Sequence, residues 1–140
     1  MRLVLDTNVV ASALLWGGAP RLLLQAGRER RVELLTSIAL LVELTDILGR
    51  RKFEQKIAAS LMTIDQLVDG FAALSTLVRP TATPRIAPDP DDDVVIGTAV
   101  AARADLIVTG DRALLSVGSH QGIELATVSG ALRRLETRGG

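Results

Sequence analysis

Apolar and polar positions along the chain fall into blocks that separate strands from helices. Arg2-Leu3-Val4-Leu5 is a short apolar run rich in branched residues, the pattern of a strand buried on both faces of a parallel sheet. Asp6-Thr7-Asn8 ends that strand and can cap a helix. Gly17-Gly18 breaks the helix, and Pro20 suits the first turn of the next, which reads to about Arg30. Val32 to Thr36 reads as a second strand, and Ser37 caps a helix reaching about Leu48. Residues 50 to 60 and 63 to 78 read as two more helices. Residues 80 to 93, with Pro80, Pro84, Pro88 and Pro90, form a loop between two halves, since proline continues neither a helix nor a central strand. Beyond it, Asp92 or Asp93 opens a helix to about Ala104, and Leu106-Ile107-Val108 is a third strand. Gly110-Asp111 starts a short helix through Leu115, Ile123 to Val128 is a fourth strand, and Ser129 caps the last helix. Strands alternating with helices imply an α/β fold on a parallel sheet with right-handed crossovers.

Composition narrows the chemistry. The 140 residues suit one domain, and an apolar share of 48% with balanced charge excludes disorder. A formal charge of zero argues against binding nucleic acid through bulk electrostatics, while leaving room for a local basic groove. The chain has no cysteine, which excludes disulfide scaffolds, thiolate metal sites and cysteine nucleophiles. Its one histidine, His120, lies beside Gly118 and Gly122 and reads as a loop residue. No apolar run approaches the ~18 residues of a membrane span. Asp6 interrupts any signal-peptide core, so the expected location is the cytoplasm, with no membrane partner.

Aspartate is plentiful and falls where ligands bind in parallel α/β sheets, beyond the carboxyl ends of the strands. Asp6 follows the first strand, Asp111 follows the third, and Asp92 heads a helix of the second half. Each taken alone could be no more than a helix cap. Glu43 is different. Leu40, Leu41, Leu44, Ile47 and Leu48 form an apolar stripe, and Glu43 lies on its flank, about 40° from Ile47 at about 100° per residue. Such an acid needs a partner, either an arginine in a buried pair or a shared functional site. Four acids converging on one sheet edge, without histidine or cysteine, form an oxygen-donor set for hard divalent cations such as Mg²⁺ or Mn²⁺. Two unit charges about 4 Å apart repel by roughly 4 kcal/mol at an effective dielectric near 20, so a cation would relieve the cluster.

These residues resemble a known family. Leu3-Val4-Leu5-Asp6-Thr7-Asn8-Val9 resembles the opening motif of PIN-domain nucleases. Ser37 followed by Glu43 resembles the second acidic position of that family. Asp89-Pro90-Asp91-Asp92-Asp93, leading into Val95-Ile96-Gly97-Thr98-Ala99, resembles the third. Ala104 to Asp111 resembles the fourth. Order, spacing and length all fit, and the subgroup most similar is that of VapC-like toxin components of bacterial and archaeal toxin–antitoxin pairs. The resemblance implies a single domain over residues 1–140. Its fold would be three-layer α/β/α, with a central parallel sheet of about four to five strands. It implies a metal-dependent endoribonuclease that is a homodimer and is inhibited by a small antitoxin. By match, Asp6, Glu43, Asp92 and Asp111 are the acidic site that holds Mg²⁺ or Mn²⁺, directly or through water. A water activated by the ion would attack the RNA phosphodiester. Asn8 and Thr109 carry over as polar supports that orient the acids.

Two departures matter. Asp93 stands where many relatives have Asn, so Asp93 competes with Asp92 for the third position; the Val-Val-Ile-Gly-Thr-Ala run aligns best from Asp92. Ala113 stands where many relatives have a further acid, which leaves one-metal and two-metal chemistry both open. Arg28, Arg30 and Arg31 form one basic patch and Arg50, Arg51 and Lys52 another, each either an RNA contact or a solvated face. With two Phe and one Trp, stacking of several bases is not expected. Trp16 reads as core or as a contact for a partner helix, and the apolar helices around it suggest a groove for an antitoxin helix. The rival readings are an RNA-processing PIN nuclease without an antitoxin and a catalytically silent PIN-like binding module. A phosphoacceptor receiver domain is disfavoured, because Lys52 and Lys56 lie too early in the chain for its late lysine.

Overall fold

The computed structural model describes residues 1–80 and 85–139; Pro84, assigned above to the loop between the halves, lies outside the described residues. Strand β1 (Arg2–Leu5) leads into helix α1 (Thr7–Leu15) and then α2 (Ala19–Arg28). Strand β2 (Glu33–Thr36) follows, then α3 (Ile38–Leu48), a 3₁₀ turn (Arg51–Phe53), α4 (Glu54–Ser60), α5 (Ile64–Leu74) and β3 (Ser75–Leu77). The second half carries a 3₁₀ turn (Pro90–Asp92), α6 (Asp93–Ala102), β4 (Leu106–Val108), α7 (Arg112–Leu115), β5 (Ser119–His120), β6 (Ile123–Ala126) and α8 (Val128–Gly139).

The strands form one sheet in the order β3-β2-β1-β4-β6-β5. All pairings are parallel except β5 with β6. Successive side chains of a strand point to opposite faces, and β1 splits accordingly. Leu3 and Leu5 join the core beneath α1, α2, α3, α5 and α8, together with Leu34, Leu106 and Val108. Val4 joins Leu35 and Ile107 in a second core against α6, with Ile96 and Leu114. Helices on both faces of a largely parallel sheet give the three layers expected.

The differences from expectation sit at the edges. The sheet has six strands, not four or five. The helix expected over residues 63–78 stops at Leu74, and Ser75–Leu77 turns extended to pair with β2, Leu34 opposite Ser75. Its exposed Thr76 and Leu77 lack the alternation that would have marked a strand, so pairing with β2 overrides the local pattern. His120 is not in a loop but in the edge strand β5, opposite Ile123. Gln121 (φ 51°) and Gly122 (φ 80°) both take the left-handed conformation that a two-residue hairpin turn of this hand requires. The strand expected to reach Val128 ends at Ala126. Thr127, rather than Ser129, caps the last helix by accepting the Gly130 amide at 3.1 Å.

Candidate active site

Parallel strands present their carboxyl ends along one edge, and the acids gather there. Asp6 follows β1 and is 4% exposed. It occupies the N-cap position of α1, yet its side chain makes no capping hydrogen bond. Its Oδ2 accepts a 2.7 Å hydrogen bond from Thr109 Oγ1 instead. Thr109 is fully buried just past β4, and its hydroxyl also accepts the Asp111 amide at 3.1 Å. One hydroxyl therefore orients the Asp6 carboxylate and the backbone that carries Asp111. Asp111 is exposed and does cap α7, its Oδ1 accepting the amides of Ala113 at 2.8 Å and Leu114 at 3.5 Å. Its other oxygen has no hydrogen bond among the described residues.

Glu43 reaches the same edge from the middle of α3. Its Oε1 accepts a 2.6 Å hydrogen bond from Thr7 Oγ1. Among the described residues the ion pairs are Arg2–Glu33, Arg31–Glu29 and Arg134–Glu124, so no arginine neutralises Glu43. Thr7, which sequence reasoning passed over, is the partner. Thr7 is 2% exposed, so its buried hydroxyl needs an acceptor, a requirement that only the folded packing reveals.

Asp92 lies where the 3₁₀ turn passes into α6. It too stands at an N-cap position without a capping hydrogen bond, and its Oδ2 is buried with no partner. Burial first, then the charges of Asp111, Asp6, Asp89 and Glu43, push its carboxyl up to about 6. Asp6 is also held above the usual carboxylate value by burial, with Asp111 adding to the rise and the Thr109 hydroxyl and Thr7 groups opposing it. The structure thus brings Asp6, Glu43, Asp92 and Asp111 into one electrostatic neighbourhood.

Asp93 serves differently. It is 3% exposed, and its Oδ1 accepts the amides of Ile86 at 2.9 Å and Ala87 at 2.7 Å. That carboxylate anchors the returning chain to α6. Asn8, expected to orient the acids, is exposed and makes no hydrogen bond to any of them among the described residues; Thr7 and Thr109 take that part. Asn8 instead lines, with Ser12 and Pro20, a recess of about 430 Å³ that contains Asp6 and Asp111.

Among the described residues no three His, Asp or Glu side chains stand close enough to hold one ion directly. Mg²⁺ commonly binds through one or two carboxylates and keeps several waters. The all-oxygen donor set and the partnerless buried oxygen of Asp92 fit a hard divalent cation held in that way.

Arg28, Arg30 and Arg31 precede β2 and so lie toward the opposite edge of the sheet from the acids, with Arg31 3.7 Å from Glu29. Arg50, Arg51 and Lys52 follow α3 and are exposed. A second groove of about 530 Å³ runs between α1, α2 and α5, lined by Leu14, Leu24, Leu67 and Leu74 together with Arg21 and Arg28. No single helix among the described residues is long and apolar enough to cross a membrane.

Comparison with known proteins places this arrangement in a class. Residues 2–113 match the family model described as the PIN domain, and the chain belongs to the PIN-domain family, whose members are generally nucleases that use divalent metal ions. Among solved structures, one chain of the crystal structure of VapBC2 from Rickettsia felis bound to a DNA fragment from their promoter has a similar fold. The two superpose with a TM-score of 0.61 at 16% identity, over 91% of this chain and 98% of that one. No curated protein matches the sequence significantly.

Proposed function

We propose that this chain is a VapC-like PIN toxin: a metal-dependent endoribonuclease of one domain over residues 1–140, held in check by a small antitoxin. The observation that carries the reading is the electrostatic coupling of Asp92 to Asp6, Glu43 and Asp111 at the carboxyl edge of the sheet, with no ion pair to any of the four among the described residues. Family membership and the fold shared with a VapBC2 complex support it.

Asp6, Asp92 and Asp111 would hold the Mg²⁺ or Mn²⁺ in part through water, with Glu43 assisting. When bound, the ion supplies Lewis-acid chemistry, polarising the scissile phosphate and acidifying water. The chain's own residues set the conditions for it. Thr109 fixes Asp6 and the Asp111 backbone, and Thr7 orients Glu43 by donating its hydroxyl to Oε1. Asp92 keeps one oxygen free of hydrogen bonds, so it can meet a cation without first breaking a contact. The recess beside Asp6 and Asp111 is open along Asn8, Ser12 and Pro20, which gives a strand of RNA access to the acids.

The antitoxin is expected to present an apolar helix to the groove between α1, α2 and α5. The active form is expected to be a homodimer acting in the cytoplasm. The test is cleavage of a structured RNA by the purified protein, with Mg²⁺ or Mn²⁺ against excess chelator, alongside growth of cells in which it is induced. Cleavage that needs the metal, with growth arrest, supports the reading. RNA bound but left intact in both metals would contradict it in favour of a silent binding module. Cleavage without arrest would point to a processing nuclease.

A further inference from the structure

Both lysines of the chain, Lys52 and Lys56, converge on one aromatic pair. Lys52 Nζ lies 5.0 Å from the centre of the Phe53 ring and Lys56 Nζ 5.2 Å from that of Trp16. The two rings meet edge-on with centroids 5.6 Å apart. Phe53 is buried and anchors the pair, whereas Trp16 is 37% exposed. Neither lysine has a carboxylate partner among the described residues, and Arg50 and Arg51 adjoin them. In a chain of zero net charge this is a concentrated positive, aromatic surface.

Its position ties it to the acids. Asn8 and Ser12 of α1 line the recess that contains Asp6 and Asp111, and the Trp16 amide still bonds to the Ser12 carbonyl at 2.9 Å. At about 1.5 Å per residue, Trp16 stands ~12 Å along the helix from Asn8. Pro20, which lines the same recess, is separated from Trp16 only by Gly17, Gly18 and Ala19, a span of at most ~14 Å. The ring thus stands within ~14 Å of residues that line the recess.

We propose that Trp16, with Lys52 and Lys56, forms a stacking subsite for one unpaired base of the RNA substrate, adjacent to the acidic recess. The proposal rests on the nuclease reading above for the identity of the ligand. A base stacked on an aromatic ring is worth more than an exposed cation–π contact. Lys56 can therefore leave the indole face to a base and move onto the neighbouring phosphate, where it releases counterions. Sugar-backbone and base are read together, without base-specific hydrogen bonds.

Trp16 is the sole tryptophan and the chain has no tyrosine, so its emission reports this ring alone. Oligouridylate is titrated into the protein in chelator, with Trp16 emission and the anisotropy of labelled RNA read in parallel. The expected result is saturable quenching with the anisotropy midpoint. Lys52→Ala with Lys56→Ala should weaken binding about tenfold and flatten its salt dependence. Trp16→Ala should raise KM about tenfold with kcat little changed. Trp16→Phe, which preserves packing on Phe53, should lose less and controls for folding. RNA that binds without moving the emission, and is cleaved by Trp16→Ala with the parental KM, overturns the subsite and leaves this face to a protein partner. Quenching without cleavage in any metal upholds the subsite and sinks the nuclease reading. No binding at all overturns both.

Discussion

At the scale of single residues, the site is decided by which carboxylates have something better to do. Asp111 spends one oxygen on a helix cap and Asp93 spends one on two loop amides, whereas Asp6 and Asp92 stand at cap positions and cap nothing. Thr109 is the small residue on which the rest depends. Thr109→Val keeps the shape but removes the donor to Asp6 Oδ2, and a buried acceptor left unsatisfied costs about 1–3 kcal/mol. We expect a loss of stability in that range, a further rise of the Asp6 carboxyl and reduced cleavage, with Thr109→Ser restoring all three. Thermal melts together with the pH profile of cleavage check it, since a purely structural residue would leave the profile in place. Asp6 and Asp111 were legible in the sequence because they follow strand ends, Asp92 because it heads a helix, and Glu43 because it flanks an apolar stripe. The roles of Thr7 and Asn8 were not, because adjacent residues of the first helical turn point about 100° apart and only the packing against α3 decides which faces Glu43.

At the scale of elements, α3 delivers Glu43 from a flank that is otherwise apolar. Its partner is a hydroxyl, not an arginine, so Glu43→Gln strands no opposite charge. We expect the variant to melt within about 1 kcal/mol of the parent, an amide still accepting from Thr7, while cleavage falls. A loss of ~3 kcal/mol with activity intact would return Glu43 to a purely structural part. The buried strands β1, β2 and β4 could be read from pattern, and the helix start after Ser37 from capping chemistry. The short edge strands could not. Ser75–Leu77 is exposed and Ser119–His120 is two residues long, so neither carries a periodic signal, and each exists through pairing with a neighbour. Thr127 and Ser129 are equivalent caps by chemistry, and only the end of β6 at Ala126 selects the first.

At the scale of the whole molecule, the cluster makes the protein's stability depend on pH in an uncommon direction. The Asp92 carboxyl titrates near 6 in the folded chain, above the ordinary aspartate value of 3.8. Its ionised form is therefore penalised by folding. The penalty is present in full above about pH 6 and is relieved as pH falls toward 3.8, below which folded and unfolded chains are both protonated. Melts in chelator should rise in temperature as pH is lowered from about 7.5 to about 5, and saturating Mg²⁺ should flatten that slope by neutralising the cluster. Asp92→Asn should reduce the slope, leaving the part due to Asp6, and raise the metal-free melt at neutral pH. Asp93→Asn should do neither, since its amide oxygen can still accept from Ile86 and Ala87. The most direct test of the account is RNA cleavage in Mg²⁺ or Mn²⁺ by these two single variants against the parent. The account predicts that Asp92→Asn loses at least ~100-fold, because an amide oxygen cannot balance a divalent charge, while Asp93→Asn keeps most activity. An active Asp92→Asn beside a dead but folded Asp93→Asn would contradict it.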